Sequence, residues 1–413
     1  MNQSKLKLSI NRKLCWTFLV IYFLLLFKAG YCFNEKFNSI TAPTFFLFLL
    51  LSVLVMKVKV DKKIIEVVIA LLVLIWINYI LHGFPELNVI VLAMLDMISA
   101  MLIVSCVKET DFKRSFCQIV FLMCVFSIVG YVLIEVNSSI ISLFPKVVNS
   151  NGRISYFAIF TMISDFRMIG ANRIQGVFWE PGAFQTFIVM AVLFEYFNNY
   201  GFNHTLVRKL VYSAALLLTF STTGIVCLCL LWVLMLGSAK SQLKWIRVLL
   251  FMIAVAFLYI SFSQRLTGFW KYTLVDKVQQ VLNYKIGDSN QASSRMDSII
   301  LPIKYFYDPI FGIGENGYKK LSLMVGHTMF TCTPVNYFVR YGIIFGSISF
   351  IGFLRFIKNK VDYGLEFALT LIICLISVST ENFMLNPIIT VLILYGYKTA
   401  KRNCNEVHEG DRN

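Results

Sequence analysis

Hydrophobic side chains recur along this chain in long blocks that are separated by short polar connections. A helix needs about 20 apolar residues to cross the hydrocarbon core of a bilayer, and about twelve blocks reach or approach that length. They cover residues 14–33, 40–56, 64–81, 87–107, 116–136, 178–197, 208–221, 222–238, 246–262, 330–354, 363–379 and 385–397. The pattern predicts an all-α polytopic membrane protein whose helices form a single membrane domain over residues 1–413.

The division of residues 210–237 decides the topology, because this stretch forms either one long helix or two short helices broken at residues 221–224. If the break is a turn and the N-terminus is cytoplasmic, most of the 38 Lys and Arg residues lie in inner connections, and the short outer connections hold only Lys28 and Lys36. Inner connections of membrane proteins carry such an excess of basic residues. We therefore expect both termini in the cytoplasm, with residues 398–413 as a cytoplasmic tail.

Two predicted outer segments are long, residues 137–177 and residues 263–329, and long connections are usually functional or disordered. The aromatic residues at 156–166 predict a stretch that lies at the interface or re-enters the membrane. The apolar spacing at 274–282 predicts a helix on the membrane surface. Together the two segments hold twelve Lys and Arg residues against six Asp and Glu residues, so an anionic ligand is expected on the outer face.

Composition narrows the class of protein further. The chain is 58% hydrophobic and only 15% charged, with a formal net charge of +16, whereas an ordinary water-soluble domain is about a quarter charged. This excludes a cytosolic enzyme and makes the lipid bilayer a partner. A basic charge that mainly marks one side of a membrane indicates topology, so we expect no nucleic-acid partner.

The first candidate for chemistry lies at the outer start of the sixth apolar block, where Arg173 precedes Glu180 and Pro181. Proline suits the first turn of a helix, and an acidic residue before it complements the helix N-terminus, so the motif is consistent with a helix start alone. The functional alternative is that Arg173 binds a diphosphate or carboxylate, while Glu180 orients the arginine or acts as a base.

The second candidate group follows in the other long outer segment, with Arg295 after Ser294, a Gly-x-Gly at 312–314, and then His327. His327 is either a general base or phosphate ligand, or an interfacial histidine that bonds to the backbone. Arg340 lies one or two turns into the tenth block, where it either reaches back to the surface or binds a ligand. Asp96, isolated in the fourth block, is expected to be a packed acid rather than a proton relay.

Several sequence signatures of cofactor and metal enzymes are missing from the chain. The outer segments contain no Asp-x-Asp pair, and the sequence has no P-loop, no His-Glu-x-x-His and no Gly-x-Ser-x-Gly motif. We therefore predict no cofactor and no metal site.

The order of the motifs resembles the O-antigen polymerase and O-antigen ligase superfamily of bacterial membrane glycosyltransferases. The resemblance covers residues 170–350 by motif and the whole chain by hydropathy. Its elements are Arg173-x-x-Gly-x-Phe-x-Glu180-Pro-Gly, the Leu-Thr-Phe-Ser-Thr-Thr-Gly turn at 218–224, Ser294-Arg295, Asp308-Pro309, Gly312-x-Gly314, His327, Asn336 and the Tyr-Gly-Ile-Ile-Phe-Gly run at 341–346.

The resemblance implies a GT-C-type glycosyltransferase of the bacterial inner membrane that acts on undecaprenyl-diphosphate-linked oligosaccharides in lipopolysaccharide synthesis. It carries the family's outer arginines onto Arg173 and Arg295 and the family's histidine onto His327. The chain departs from the family pattern at the residues after Pro181, where ligases tend to show an Asn, and at Thr222-Thr223, which replace a Ser-Arg pair. The first departure favours a polymerase.

The expected chemistry needs no metal, because a lipid diphosphate is already a good leaving group. Arginines can stabilise the negative charge that develops on it. Arg173, Arg295 and Arg340 are predicted to bind that diphosphate, and His327 or Glu180 to take the proton of the acceptor hydroxyl. An O-antigen ligase and a polysaccharide flippase remain alternatives to the polymerase. Binding of a chain-length regulator is left open.

Overall fold

The structure is a computed structural model that describes residues 2–148, 154–164, 172–198, 200, 202, 205–237, 293–324, 330–358 and 364–398, with a few isolated positions between 248 and 283. The described helices are α1 Asn2–Lys28, α2 Tyr31–Met56, α3 Lys62–His82, α4 Leu87–Cys106, α5 Glu109–Val136, α6 Pro181–Phe197, α7 Thr205–Leu218, α8 Thr222–Gly237, α9 Ser293–Lys304, α10 Gly314–Met324, α11 Thr333–Lys358, α12 Leu365–Val378 and α13 Pro387–Tyr395. A 3₁₀ helix, Ser138–Leu143, follows α5.

The protein is an all-α membrane protein in its main architecture. Within the described residues, five helical segments are long and apolar enough to cross a bilayer: Ser39–Met56, Lys62–His82, Leu87–Cys106, Glu109–Val136 and Thr333–Lys358. Three shorter helices, α6, α8 and α12, are also apolar. The predicted span at 246–262 lies almost entirely outside the described residues, so the count of about twelve spans stays a prediction.

Residues 210–237 form two helices. Helix α7 ends at Leu218 and α8 begins at Thr222, and Phe220 between them has a left-handed backbone with φ 47°. The two helices pack against each other and against α6. The chain therefore turns back at residues 219–221, as the charge pattern requires.

Helix α11 is broken inside its predicted span, because Gly342 has φ 89° and ψ 170°. Residues 308–314 of the second long outer segment lie against the break. There the Ile313 N–H donates to Val339 O at 2.9 Å, and the Ile343 N–H donates to Pro309 O at 2.8 Å. Backbone groups released by a break within a membrane protein need such partners. The outer segment therefore completes the backbone hydrogen bonding of α11.

A three-stranded antiparallel sheet occupies part of the first long outer segment, with strands β1 Lys146–Val148, β2 Ile154–Ala158 and β3 Thr161–Ser164 in the order β1-β2-β3. The β3 strand packs on α5, where Thr161 Oγ1 lies 2.8 Å from Ser127 Oγ. The aromatic stretch that we expected at the interface or re-entering the membrane is therefore largely a β-hairpin. The all-α prediction missed this sheet, and the surface helix predicted at 274–282 lies mostly outside the described residues.

Buried ion pairs lie among the helices, and one of them corrects an expectation. Asp96 in α4 is not isolated, because Lys28 Nζ at the end of α1 lies 2.5 Å from its Oδ1. Arg208 pairs with Glu195, and its guanidinium lies 4.2 Å from the centre of the Phe121 ring. Charges inside an apolar bundle are tolerated when they are paired in this way.

Candidate functional site

Polar side chains meet around the break in α11, at the ends of elements that the charge pattern assigns to the outer face. We call these residues the outer cluster: Asn78, His82, Asp308, Glu315 and Arg340. Asn78 and His82 lie one turn apart at the end of α3, Asp308 and Glu315 flank the segment that lies against the break, and Arg340 precedes the break. Helices α3 and α11 are far apart in the sequence, and residues 308–314 contact both of them.

Arg340 is the most enclosed cation of the outer cluster, with a side chain 13% exposed. Its guanidinium forms an ion pair with Glu315 and lies 5.5 Å from the centre of the Tyr318 ring and 5.6 Å from that of Tyr341. Its Nη1 approaches Met384 Sδ at 3.8 Å. The Nε atom is buried and has no hydrogen-bond partner among the described residues. Arg340 does not simply extend along the helix to the surface, and its Nε–H is not used by any of the described residues.

Asn78 connects α3 to both sides of the break. Its Nδ2 donates to Phe311 O and, at 3.1 Å, to Arg340 O. Its Oδ1 is buried and has no hydrogen-bond partner in the described part of the chain. The asparagine therefore fixes the backbone of both segments and leaves one acceptor beside them.

His82 and Asp308 form a second pair of neighbouring side chains in the outer cluster. His82 Nε2 lies 3.5 Å from Asp308 Oδ2, and the two side chains are 17% and 30% exposed. Asp308 Oδ1 accepts hydrogen bonds from the N–H groups of Ile310 and Phe311, both at 3.1 Å. The carboxylate is thus fixed by the backbone of the segment that follows it. Sequence reasoning missed His82, because the connection after α3 carries no motif and its neighbours are apolar.

A hydrogen-bonded pair behind the outer cluster joins α10 to α11. The Tyr318 hydroxyl donates to Asn336 Oδ1, and Asn336 Nδ2 donates to Phe330 O at 3.1 Å. A phenol is protonated at neutral pH, and burial raises the pKa of Tyr318 further above its ordinary value, so the hydroxyl remains a donor in alkaline solution as well. Asn336, quoted above as part of the resemblance, therefore serves to hold α10 on α11.

Glu180 lies at the N-cap of α6, and its side chain makes no capping hydrogen bond. The neighbouring Trp179 Nε1 donates to Glu381 Oε2 at 3.1 Å, and Glu381 is buried, with 3% of its surface exposed. Glu381 also escaped the sequence analysis, although the polar run at 380–382 between two apolar blocks could have indicated it. Trp179 thus precedes Glu180 in the chain and hydrogen-bonds to Glu381.

Arg173 is directed at the turn between α7 and α8. Its Nε donates to Thr219 O at 2.8 Å, and its Nη2 donates to Phe220 O at 3.3 Å. Carbonyls at the C-terminal end of a helix favour a cation. The predicted role of this arginine as a diphosphate ligand is therefore not evident in the geometry, whereas a role in stabilising the turn is.

The structure gives little on the remaining two predicted residues, Arg295 and His327. Arg295 lies in the first turn of α9, which packs on α11, but its side chain lies outside the described residues. His327 lies outside the described residues altogether. In the part of the chain that the structure describes, no group of three or more His, Cys, Asp or Glu side chains is arranged to hold a metal ion.

Comparisons with protein-family models, with curated proteins and with solved structures give no match to this chain.

Proposed function

We propose that the chain is a polymerase of bacterial surface polysaccharide, an O-antigen polymerase, which joins undecaprenyl-diphosphate-linked oligosaccharide units at the outer face of the inner membrane. The motif order over residues 170–350 and the apolar helices support this proposal. The proposed arrangement has about twelve spans, a GT-C-type fold and both termini in the cytoplasm. Lipid-linked substrates would reach the site from the surrounding bilayer.

The observation that carries the proposal is the state of Arg340 in the outer cluster. A buried guanidinium donor without a partner is costly unless a ligand uses it, and an arginine within a membrane protein is a functional candidate by default. The net positive charge of the two long outer segments adds to the attraction for an anion. A diphosphate fits this environment because its oxygens accept several hydrogen bonds from arginine.

The proposed reaction transfers the glycan of one lipid-linked unit to a sugar hydroxyl of another. The bond between the anomeric carbon and the diphosphate breaks, and its electron pair moves to the diphosphate oxygen. Arg340 would stabilise the developing charge, with Arg295 as a second ligand that the resemblance implies. His327 or Glu180 are the proton acceptors that the resemblance and the sequence suggest, and Arg173 would support the site through the α7–α8 turn.

The test is to incubate the purified protein in lipid nanodiscs with undecaprenyl-diphosphate-linked repeat units alone and to resolve the products by size. A polymerase gives a ladder of chains that differ by one repeat unit and releases undecaprenyl diphosphate. A ligase forms product only after a lipid A core acceptor is added. A flippase gives no longer chains with either mixture. Absence of a ladder from correctly folded protein would contradict the proposed function.

A further inference from the structure

We infer that His82, oriented by Asp308, is the catalytic base that removes the proton from the acceptor hydroxyl. This inference rests on the proposed function, because it concerns the same glycosyl transfer. It assigns the proton transfer to a residue at the end of α3, whereas the motifs pointed to His327 or Glu180.

The geometry of the pair is that of a base with an orienting carboxylate. His82 Nε2 is buried and lies 3.5 Å from Asp308 Oδ2, within ion-pair distance but without a hydrogen bond between the two atoms. Asp308 cannot easily turn away, because its second oxygen accepts two backbone hydrogen bonds. When Nε2 carries the proton and faces the carboxylate, Nδ1 keeps a lone pair with which to accept a proton.

The position of His82 relative to Arg340 also fits the reaction. A Cβ atom on Gly314 would lie 2.5 Å from His82 Cβ, so the imidazole packs directly on the backbone of that glycine. The next residue, Glu315, forms the ion pair with Arg340. Asn78, one turn before His82, donates to Arg340 O. The base and the proposed diphosphate ligand are therefore held by the same two segments.

The proton transfer balances without any further reactant. As the acceptor oxygen forms its bond to the anomeric carbon, the bond from that carbon to the diphosphate breaks. The hydroxyl proton moves to His82 Nδ1, and the imidazolium that forms is stabilised by the Asp308 carboxylate. The proton then leaves to water or to the released diphosphate, which restores the neutral imidazole for the next cycle.

A purely structural role must be separated from catalysis, since the same pair also holds residues 308–314 on α3. Asn316 provides a matched control, because its Nδ2 contacts Gly83 O at 3.4 Å and thus joins the start of α10 to the end of α3 without an imidazole. Asn316→Ala weakens that connection only, and we expect it to keep the wild-type rate of chain extension.

The experiment measures chain extension by His82→Ala, with and without added imidazole, in nanodiscs that contain lipid-linked repeat units. We expect kcat to fall by about 10²- to 10⁴-fold with KM little changed, and imidazole to restore part of the rate. An unchanged kcat in His82→Ala, or a loss that imidazole does not restore while Asn316→Ala shows the same loss, would overturn the inference. If the wild-type protein forms no ladder at all, the proposed function fails instead.

Asp308→Asn tests the orienting carboxylate separately. It keeps the size of the side chain and removes its charge, so the imidazolium loses its stabilisation. We expect a lower kcat that added imidazole does not restore, because the histidine is still present. A wild-type kcat in this variant would overturn the orienting role of Asp308.

Discussion

Gly312 and Gly342 allow the outer segment to lie within the break of α11. Both have positive φ, 78° and 89°, and a Cβ atom on Gly312 would lie 2.5 Å from Arg340 O. A Cβ atom on Gly342 would collide with Ile310 O. The two glycines are thus required by direct backbone packing as well as by conformation.

Gly342→Ala tests this packing at the scale of one residue. The added methyl group and the positive φ should destabilise the folded protein by about 1–3 kcal/mol, seen as a lower temperature of thermal unfolding in detergent. Gly237→Ala is the matched control, because among the described residues its Cβ would meet only Val248 Cγ2, at 3.8 Å. Equal unfolding temperatures for the two variants would contradict the role of the close approach.

The residue scale also shows which partners a sequence cannot reveal. The sequence predicted a packed acid at Asp96, and packing was right, but its partner Lys28 is 68 positions away in the chain. The Gly-x-Gly at 312–314 was visible as a motif, but its contact with Arg340 was not. Such pairs are decided by how helices pack, and no local pattern records that.

At the scale of elements, the length of the apolar blocks located the apolar helices well, but it missed the small sheet and the helices α9 and α10 of the second long segment. Blocks of about 20 apolar residues leave little choice of secondary structure in a membrane. The strands at 146–164 contain three to five residues each, too short for alternation to stand out from an aromatic-rich loop. The charge pattern, rather than periodicity, predicted a break at residues 221–224, and the structure places the turn slightly earlier, at 219–221, since α8 already begins at Thr222.

Arg173→Gln tests whether this arginine stabilises the α7–α8 turn. Loss of a cation at the carbonyls of Thr219 and Phe220 should cost about 1 kcal/mol, which corresponds to about fivefold faster amide hydrogen exchange in residues 219–225. Lys209→Gln is the control. It removes an exposed charge near the start of α7 and should leave the exchange of residues 219–225 unchanged. Exchange that does not accelerate in Arg173→Gln would show that the turn does not depend on it.

At the scale of the whole molecule, hydrogen bonds between distant helices join helix ends that the charge pattern assigns to the same side of the membrane. On the predicted inner side, the Tyr395 hydroxyl donates to Val107 O at 3.1 Å, and the Tyr196 hydroxyl donates to Glu366 Oε1 at 2.8 Å. On the predicted outer side, Asn386 Nδ2 donates to Lys28 O at 3.0 Å. These contacts agree with the predicted grouping of helix ends on two sides of the membrane, while the orientation of the two sides stays a prediction. Burial lowers the pKa of Lys398, which follows α13.

The candidate site was only partly predictable at this scale. Sequence motifs indicated Arg340 and the outer segment that contacts it, because an arginine near the start of a span is unusual. They gave no sign of Asn78 or His82, whose partners in residues 308–311 and at Arg340 are more than 200 positions away in the chain. Arg173 was singled out for its charge, and its carbonyl partners became evident only from the position of the turn.

Arg340 is proposed to stabilise the negative charge of a lipid diphosphate. The rate of chain extension by variants of Arg340 and its partner Glu315 tests this most directly. Arg340→Gln alone leaves Glu315 without its cation, so the double variant Arg340→Gln/Glu315→Gln removes both charges and preserves the neutrality of the site. Arg355→Gln is the control, since Arg355 is an exposed residue near the other end of the same helix. All variants are compared at matched amounts of folded protein.

We predict that the double variant is folded but extends chains about 10²- to 10³-fold more slowly than the wild type, whereas Arg355→Gln keeps the wild-type rate. If Arg340 served only to pair with Glu315, the double variant would recover both folding and chain extension. A double variant that builds the ladder at the wild-type rate would therefore contradict the account.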